Sequence, residues 1–221
     1  MGLPTYGHTA AIWIRGILQD EYDVSPESIH WYIGGIDGPP VPDPSDILPD
    51  KNLSIHTLRK GKTLSQMIES GKLDAVIGAW VPSGLGKSGK VRRLFPNYRE
   101  VERDYYRRTG IFPIMHTVVM KEEIYKAHPW IAQSIYEAMI QAKQISSNRM
   151  RFNGALHYAL PWLFDDLDEI DGIFEGDAWP YGLQDNHKTL ETLQTHLVNQ
   201  GFINNTLPLE ELFSPITESN R

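Results

Sequence analysis

The spacing of apolar and polar positions changes several times along the chain, and each change marks an element. Ile14, Ile17 and Leu18 recur at helical spacing and predict a helix over 9–22, closed by Asp23-Val24-Ser25-Pro26. That helix opens from a tight turn, Leu3-Pro4-Thr5-Tyr6-Gly7-His8, with Thr9 or His8 in the capping position. The β-branched and aromatic run Ile29-His30-Trp31-Tyr32-Ile33 predicts a strand stopped by Gly34-Gly35. Residues 36–51 are crowded with proline and aspartate and have no period, which predicts a surface loop. A second strand is expected over 53–58, followed by a helix from Thr63 with Leu64, Met67 and Ile68 as its stripe and Gly71 as its stop.

Residues 72–80 turn apolar and predict a buried strand, so helix and strand follow each other across a short link, as in a βαβ unit of a parallel sheet. Residues 82–90 superficially suggest a phosphate-binding loop. They lack the full G-x-x-x-x-G-K-[ST] spacing and no apolar helix start follows, so they read as a surface loop. A charged helix is predicted over 97–108 and a strand over 112–120, with His116 interrupting its apolar run. Pro129 opens a long helix to about residue 147, in which Ile131, Ile135, Ala138, Met139 and Ala142 recur at helical spacing. Helices over 153–164 and 186–200, with Gly201 as stop, and a short one over 209–213 complete the chain; repeats, heptads and low-complexity tracts are absent. The alternation of strands and helices predicts an α/β fold.

Composition narrows the function. With 221 residues and 41% hydrophobic content the chain can bury a real core, and its net charge of −7 argues against nucleic acid or an anionic membrane as partner. It contains no cysteine, which removes disulfides and thiolate metal sites. Neither a signal peptide nor an 18-residue charge-free apolar run is present, so the chain as written is expected in the cytoplasm. The start is unusual, because Met1-Gly2-Leu3 reaches the helix-opening turn with almost no strand before it. An N-terminal truncation is therefore expected, and with it export stays open.

The candidate chemistry gathers at a few positions. The helix start at Tyr6, Gly7, His8, Thr9 and Ala10 offers backbone N–H groups and the positive end of a helix dipole to an anion. Arg15 starts about 9–10 Å from that opening, which favours a structural ion pair with a carboxylate over ligand contact. Trp80 closes the predicted 72–80 strand, where ligands collect in open α/β sheets and where an aromatic ring could stack. His116 can exchange a proton near neutrality, its alternative being a core histidine bonded to a carbonyl. The eight histidines form no H-x-x-x-H or H-x-H pair, so no metal and no other cofactor is expected.

The ordered set formed by Gly2-Leu3-Pro4 to Tyr22, Gly71 to Ile77, Thr109 to Thr117, His128-Pro129-Trp130 and Pro180-Tyr181-Gly182-Leu183 resembles the 4,5-dihydroxyphthalate decarboxylase family. The resemblance extends from near residue 2 to about Phe213. It implies a type 2 periplasmic-binding-protein-like fold of two lobes around a cleft. Residues 1–115 would form the α/β second lobe, and residues 116–221 a hinge strand and C-terminal helices returning to a first lobe that is incomplete here. The implied function is non-oxidative decarboxylation of a dihydroxylated aromatic dicarboxylate. His116 would be the proton donor, and Tyr6, Gly7, His8, Thr9, Ala10, Arg15 and Trp80 the substrate contacts. A non-catalytic solute-binding or sensory protein for an anionic small molecule, or an inactive remnant, stands as the alternative. The expected partner is a small aromatic carboxylate, and the oligomeric state is left open.

Overall fold

The structure, a computed structural model of the chain, describes residues 1–40, 47–87, 89–155 and 157–217. The predicted 36–51 loop, the 82–90 loop and the 153–164 helix each fall partly outside these residues, at 41–46, 88 and 156. At its centre is a parallel sheet of three short strands, β1 (Gly2–Leu3), β2 (Trp31–Ile33) and β3 (Ile55–Thr57), in the order β1-β2-β3. The free edge of β1 takes a parallel bridge to Val76, with Gly2 N–H donating to Ala75 O and Ile77 N–H donating to Gly2 O, both at 2.8 Å. Across the sheet the order is therefore third, second, first, fourth. The strand order reverses at β1.

Helices cover both faces, and the two-residue period of the strands decides which residue meets which helix. Leu3, Trp31, Ile33, Ile55 and Ile77 point to one side, against Ala11 and Leu18 of α1 (Thr9–Tyr22). Tyr32 and Val76 point to the other, against Leu64, Met67 and Ile68 of α2 (Leu64–Glu69). Gly2 faces α2 as well. A Cβ there would meet Leu64 Cδ2 at 2.5 Å and Leu73 Cδ1 at 2.8 Å, so a larger residue would have to push these two side chains aside. Both helices begin and end near the predicted residues. The Thr63 hydroxyl accepts from Gln66 N–H at the head of α2, and Asp23 closes α1 in the left-handed conformation at φ 55°.

The predicted buried strand over 72–80 shrinks to that single bridge. The next position after Gly2 whose N–H would face this edge is Pro4, just past β1, and proline has none, so the ladder stops at Ile77. Residues 78–80 bend away and Trp80 stands in solvent. The predicted strand over 112–120 is likewise not formed: the segment is irregular and pairs with no strand among the described residues. Its apolar side chains have other partners, since Phe112 packs edge-on against Phe174 and Trp179 with ring centroids at 5.3 and 4.9 Å.

The remaining helices are α3 (Tyr98–Thr109), α4 (Glu122–Ala127), α5 (Trp130–Arg151), α6 (Leu163–Phe174), α7 (His187–Asn199) and α8 (Leu209–Leu212). The helix predicted over 153–164 is replaced by α6, which starts where that one should end. Pro161 disfavours helix at Leu160, and Asp165 and Asp166 then supply the first-turn charges a helix start favours. Helix α7 packs across α1, and Gly16 makes the crossing possible: a Cβ there would lie 2.2 Å from the ring of the buried His196. That ring meets Trp13 edge-on at 5.3 Å and bonds Asp20 Oδ2 through Nε2 at 3.0 Å. The apolar stripe of α5 points outward, and none of the 22 residues of that helix is buried.

Candidate functional site

The reversal of strand order sets the loop after β1 beside the loop after Ile77, at the carboxyl ends of both. In open α/β sheets such a switch point is where ligands bind. Four pieces of chain converge here. The loop after β1 leads into the start of α1, and Gly78 lies against it, a Cβ on Gly78 meeting Pro4 Cδ at 3.4 Å. Asp37, in the loop after β2, accepts from the Ser83 hydroxyl at 2.6 Å and from Ser83 N–H, which ties that loop to the one following Trp80. The fourth piece is residues 111–116. Arg108 pairs with Glu21 near the end of α1, and six residues later the Trp13 indole N–H donates to Ile114 O at 3.0 Å. This segment therefore runs back along α1 toward its opening.

At the opening itself, the N-cap is His8 and no side chain caps the helix, so the predicted Thr9 hydroxyl cap is not made. Ala11 and Ile12 N–H groups donate to His8 O at 2.8 and 3.0 Å. The N–H groups of Thr9 and Ala10 have no acceptor among the described residues, and no acidic residue occupies the first turn. Gly7, His8, Thr9 and Ala10 are half-buried. A half-buried helix start with donors to spare is a receptive place for a carboxylate. Trp80 is 65% exposed beyond Gly78, and His116 is exposed two residues past the Ile114 anchor.

Tyr6 and Arg15 are elsewhere. Tyr6 is fully buried, edge-on to Trp31 at 5.4 Å and stacked on Phe202 at 6.1 Å. The Arg15 guanidinium lies 4.0 Å over the Tyr6 ring, and its Nε donates to Gln200 Oε1 at 2.7 Å. The expected ion pair is not formed: among the described residues Arg15 meets an amide oxygen rather than a carboxylate, because the end of α7 presents Gln200 to that side of α1. Among the described residues, its Nη1 and Nη2 and the Tyr6 hydroxyl have no hydrogen-bond partner. Burial lowers the Arg15 pKa to about 10, which leaves it charged at neutral pH, while the surrounding rings offer partial compensation.

Sequence reasoning missed Trp13, Gln200 and Asp37. The Asp37-Gly38 turn pair was a local signal for the last of these; nothing local marks the other two, whose partners lie 101 and 185 residues away. A separate surface depression between α3 and α6 is lined by Arg99, Arg103, Asp166 and Glu169, whose charges already pair with one another. Among the described residues no three His, Asp or Glu side chains converge on a metal position, and no helix is long and apolar enough to cross a membrane.

The sheet and its switch point define an α/β protein. No family model matches the chain. It is similar to a 4,5-dihydroxyphthalate decarboxylase of Comamonas testosteroni, with 28% identity over 216 residues, and to one of Pseudomonas putida, with 29% identity over 108 residues. The first match covers 97% of this chain and 66% of the relative; the second covers 48% and 42%. The resemblance to that family read from the sequence is borne out by both.

Proposed function

We propose that the chain takes part in the non-oxidative decarboxylation of a dihydroxylated aromatic dicarboxylate of the 4,5-dihydroxyphthalate kind. The observation that carries this reading is the match to the Comamonas decarboxylase over 97% of the chain. Because the chain spans 66% of that relative's length, the activity and the two-lobed architecture are part of the proposal. In it, residues 1–115 form the second lobe and residues 116–221 a hinge segment and helices directed toward the first.

The chemistry asks for three things, and the region of the switch point offers a group for each. The Thr9 and Ala10 N–H groups, which meet no acceptor among the described residues, hold a carboxylate at the helix start, which favours negative charge. Trp80 stacks on the ring. When the C–C bond to the departing carboxylate breaks, carbon dioxide leaves and the electron pair stays on the ring carbon. The His116 imidazolium then gives that carbon its proton and regains one from water. Tyr6 and Arg15 act from the core, holding the turn and α1 in place, and need not touch substrate. Protein incubated with 4,5-dihydroxyphthalate is expected to release carbon dioxide and the dihydroxybenzoate. Full activity in His116→Ala removes that residue from the scheme. Binding by calorimetry without carbon dioxide release selects instead a solute-binding protein, a reading favoured by the open exposure of Trp80 and His116.

A further inference from the structure

The Trp80 ring has nothing to lean on. Its side chain is 65% exposed and makes no ring contact or hydrogen bond among the described residues, so the backbone on either side sets where the indole stands. On one side Ile77 N–H donates to Gly2 O at 2.8 Å and fixes the chain to β1. On the other, the Ser83 hydroxyl donates to Asp37 Oδ1 at 2.6 Å and Ser83 N–H donates to the same carboxylate at 3.2 and 3.3 Å. Among the described residues these are the only hydrogen bonds that carry residues 78–84 across to another part of the fold; the others are turns within 82–91. Only residues 78–82 lie between the two anchors, and Pro82 fixes one backbone angle of that short span.

Asp37 is itself firmly mounted. It belongs to the turn after β2, in which Gly35 O and Ile36 O accept from Leu64 N–H at 2.9 Å and Ser65 N–H at 3.0 Å, the first residues of α2. Ile36 is buried, and the turn is so tight that a Cβ on Gly35 would lie 2.0 Å from Gly38 O. A carboxylate on such a base makes a strong anchor, because hydrogen bonds to an ionised acceptor are roughly twice as strong as neutral ones. We propose that Asp37 is a positioning residue for Trp80: by clamping Ser83 to the first turn of α2, it holds the indole ready for an aromatic ligand. This role rests on the proposed stacking of Trp80 on an aromatic carboxylate.

Two measurements separate the clamp from the stacking. In ligand-free protein labelled with 5-fluorotryptophan, the fluorine resonance of Trp80 is the one that Trp80→Phe removes. Asp37→Ala is expected to sharpen it and move it toward its position in unfolded protein, with the resonances of the buried Trp13 and Trp31 unchanged. Asp37→Asn, which keeps an acceptor for the Ser83 hydroxyl, should stay closer to wild type. In calorimetry with 4,5-dihydroxyphthalate, Asp37→Ala should weaken binding several-fold when Trp80 is present and leave the affinity of Trp80→Ala unaltered. A Trp80 resonance indifferent to Asp37→Ala, or an affinity loss that persists in the Trp80→Ala background, overturns the positioning role. Wild-type protein that does not bind 4,5-dihydroxyphthalate overturns the stacking reading instead, and the fluorine spectrum still decides whether the clamp exists.

Discussion

Gln200 stands between Arg15 and the backbone of α1: its Oε1 accepts from Arg15 Nε at 2.7 Å, and its Nε2 donates to Ile12 O at 2.8 Å. This one amide supplies the hydrogen-bond acceptor of a buried cation and also joins the end of α7 to the core. Gln200→Ala leaves the guanidinium with no acceptor and is expected to cost roughly 2–4 kcal/mol in urea unfolding. Arg15→Met removes the charge together with its demand for partners and should cost less, because an apolar side chain of similar length suits the Tyr6, Trp31 and Phe202 surroundings. The reverse ranking would mean that the cation itself stabilises the fold.

Gly16 reverses an ordinary rule. Inside a helix, glycine to alanine usually stabilises by roughly 0.5–1 kcal/mol. Here the added methyl meets the His196 ring at 2.2 Å, so α7 must move off α1. Gly16→Ala is expected to destabilise by roughly 1–3 kcal/mol. A thermal melt at or above wild type contradicts this.

Glu27 links the fold to pH. The Lys51 ammonium, bonded at 2.7 Å, and the Ser25 hydroxyl hold its carboxyl at about 2, against 4.5 in the unfolded chain. A depressed carboxyl supports the native state fully above 4.5, and that support is lost as the pH falls through 2. Glu27→Gln should therefore flatten the stability profile between pH 4.5 and 2 and leave its shape above pH 5 unchanged. The effect is small, since both partners are partly exposed.

Trp13 ties the His116 segment to α1 through one indole N–H. Trp13→Phe keeps an aromatic ring but drops that donor, so residues 111–119 should be cut faster in limited proteolysis while the α7 contact survives. If decarboxylation runs through His116, kcat falls more than KM rises.

Trp80 offers the converse case, a large side chain whose loss the fold should not register. Trp80→Ala is expected to change the unfolding free energy by no more than about 0.5 kcal/mol. It should also weaken binding of 4,5-dihydroxyphthalate by roughly 2–12-fold, as expected for a lost stacking contact of 0.5–1.5 kcal/mol. Unchanged affinity would exclude Trp80 from the site.

Elements that carry both their own boundaries and their own buried stripe were legible in the sequence. Helix α1 runs over the predicted residues because its turn, apolar face and stop are all local, and α2 and α7 follow for the same reasons. The β1 turn and Trp80 were picked as ligand contacts from local chemistry, and both stand beside the switch point. What sequence pattern could not supply is the partner. Residues 112–120 have strand composition but meet rings and an indole instead of a ladder, and 72–80 lose their ladder to Pro4, a residue some 70 positions earlier. Arg15 was read as half of an ion pair, yet the group that reaches it arrives from α7. Each failure concerns which distant residue comes to lie alongside, a property of topology rather than of any window of sequence.

The sheet order has a consequence for how the molecule assembles. No two neighbouring strands are joined by a hairpin: Gly2 pairs with Tyr32 and Val76, and Trp31 with Ile55. Every ladder must therefore close a loop of more than twenty residues before its first hydrogen bond forms, and β1, at the centre, needs its neighbours on both sides. Acquisition of the sheet should thus be the slow event, late and all at once, with α1 and α7 able to gain helical turns long before the core that joins them exists.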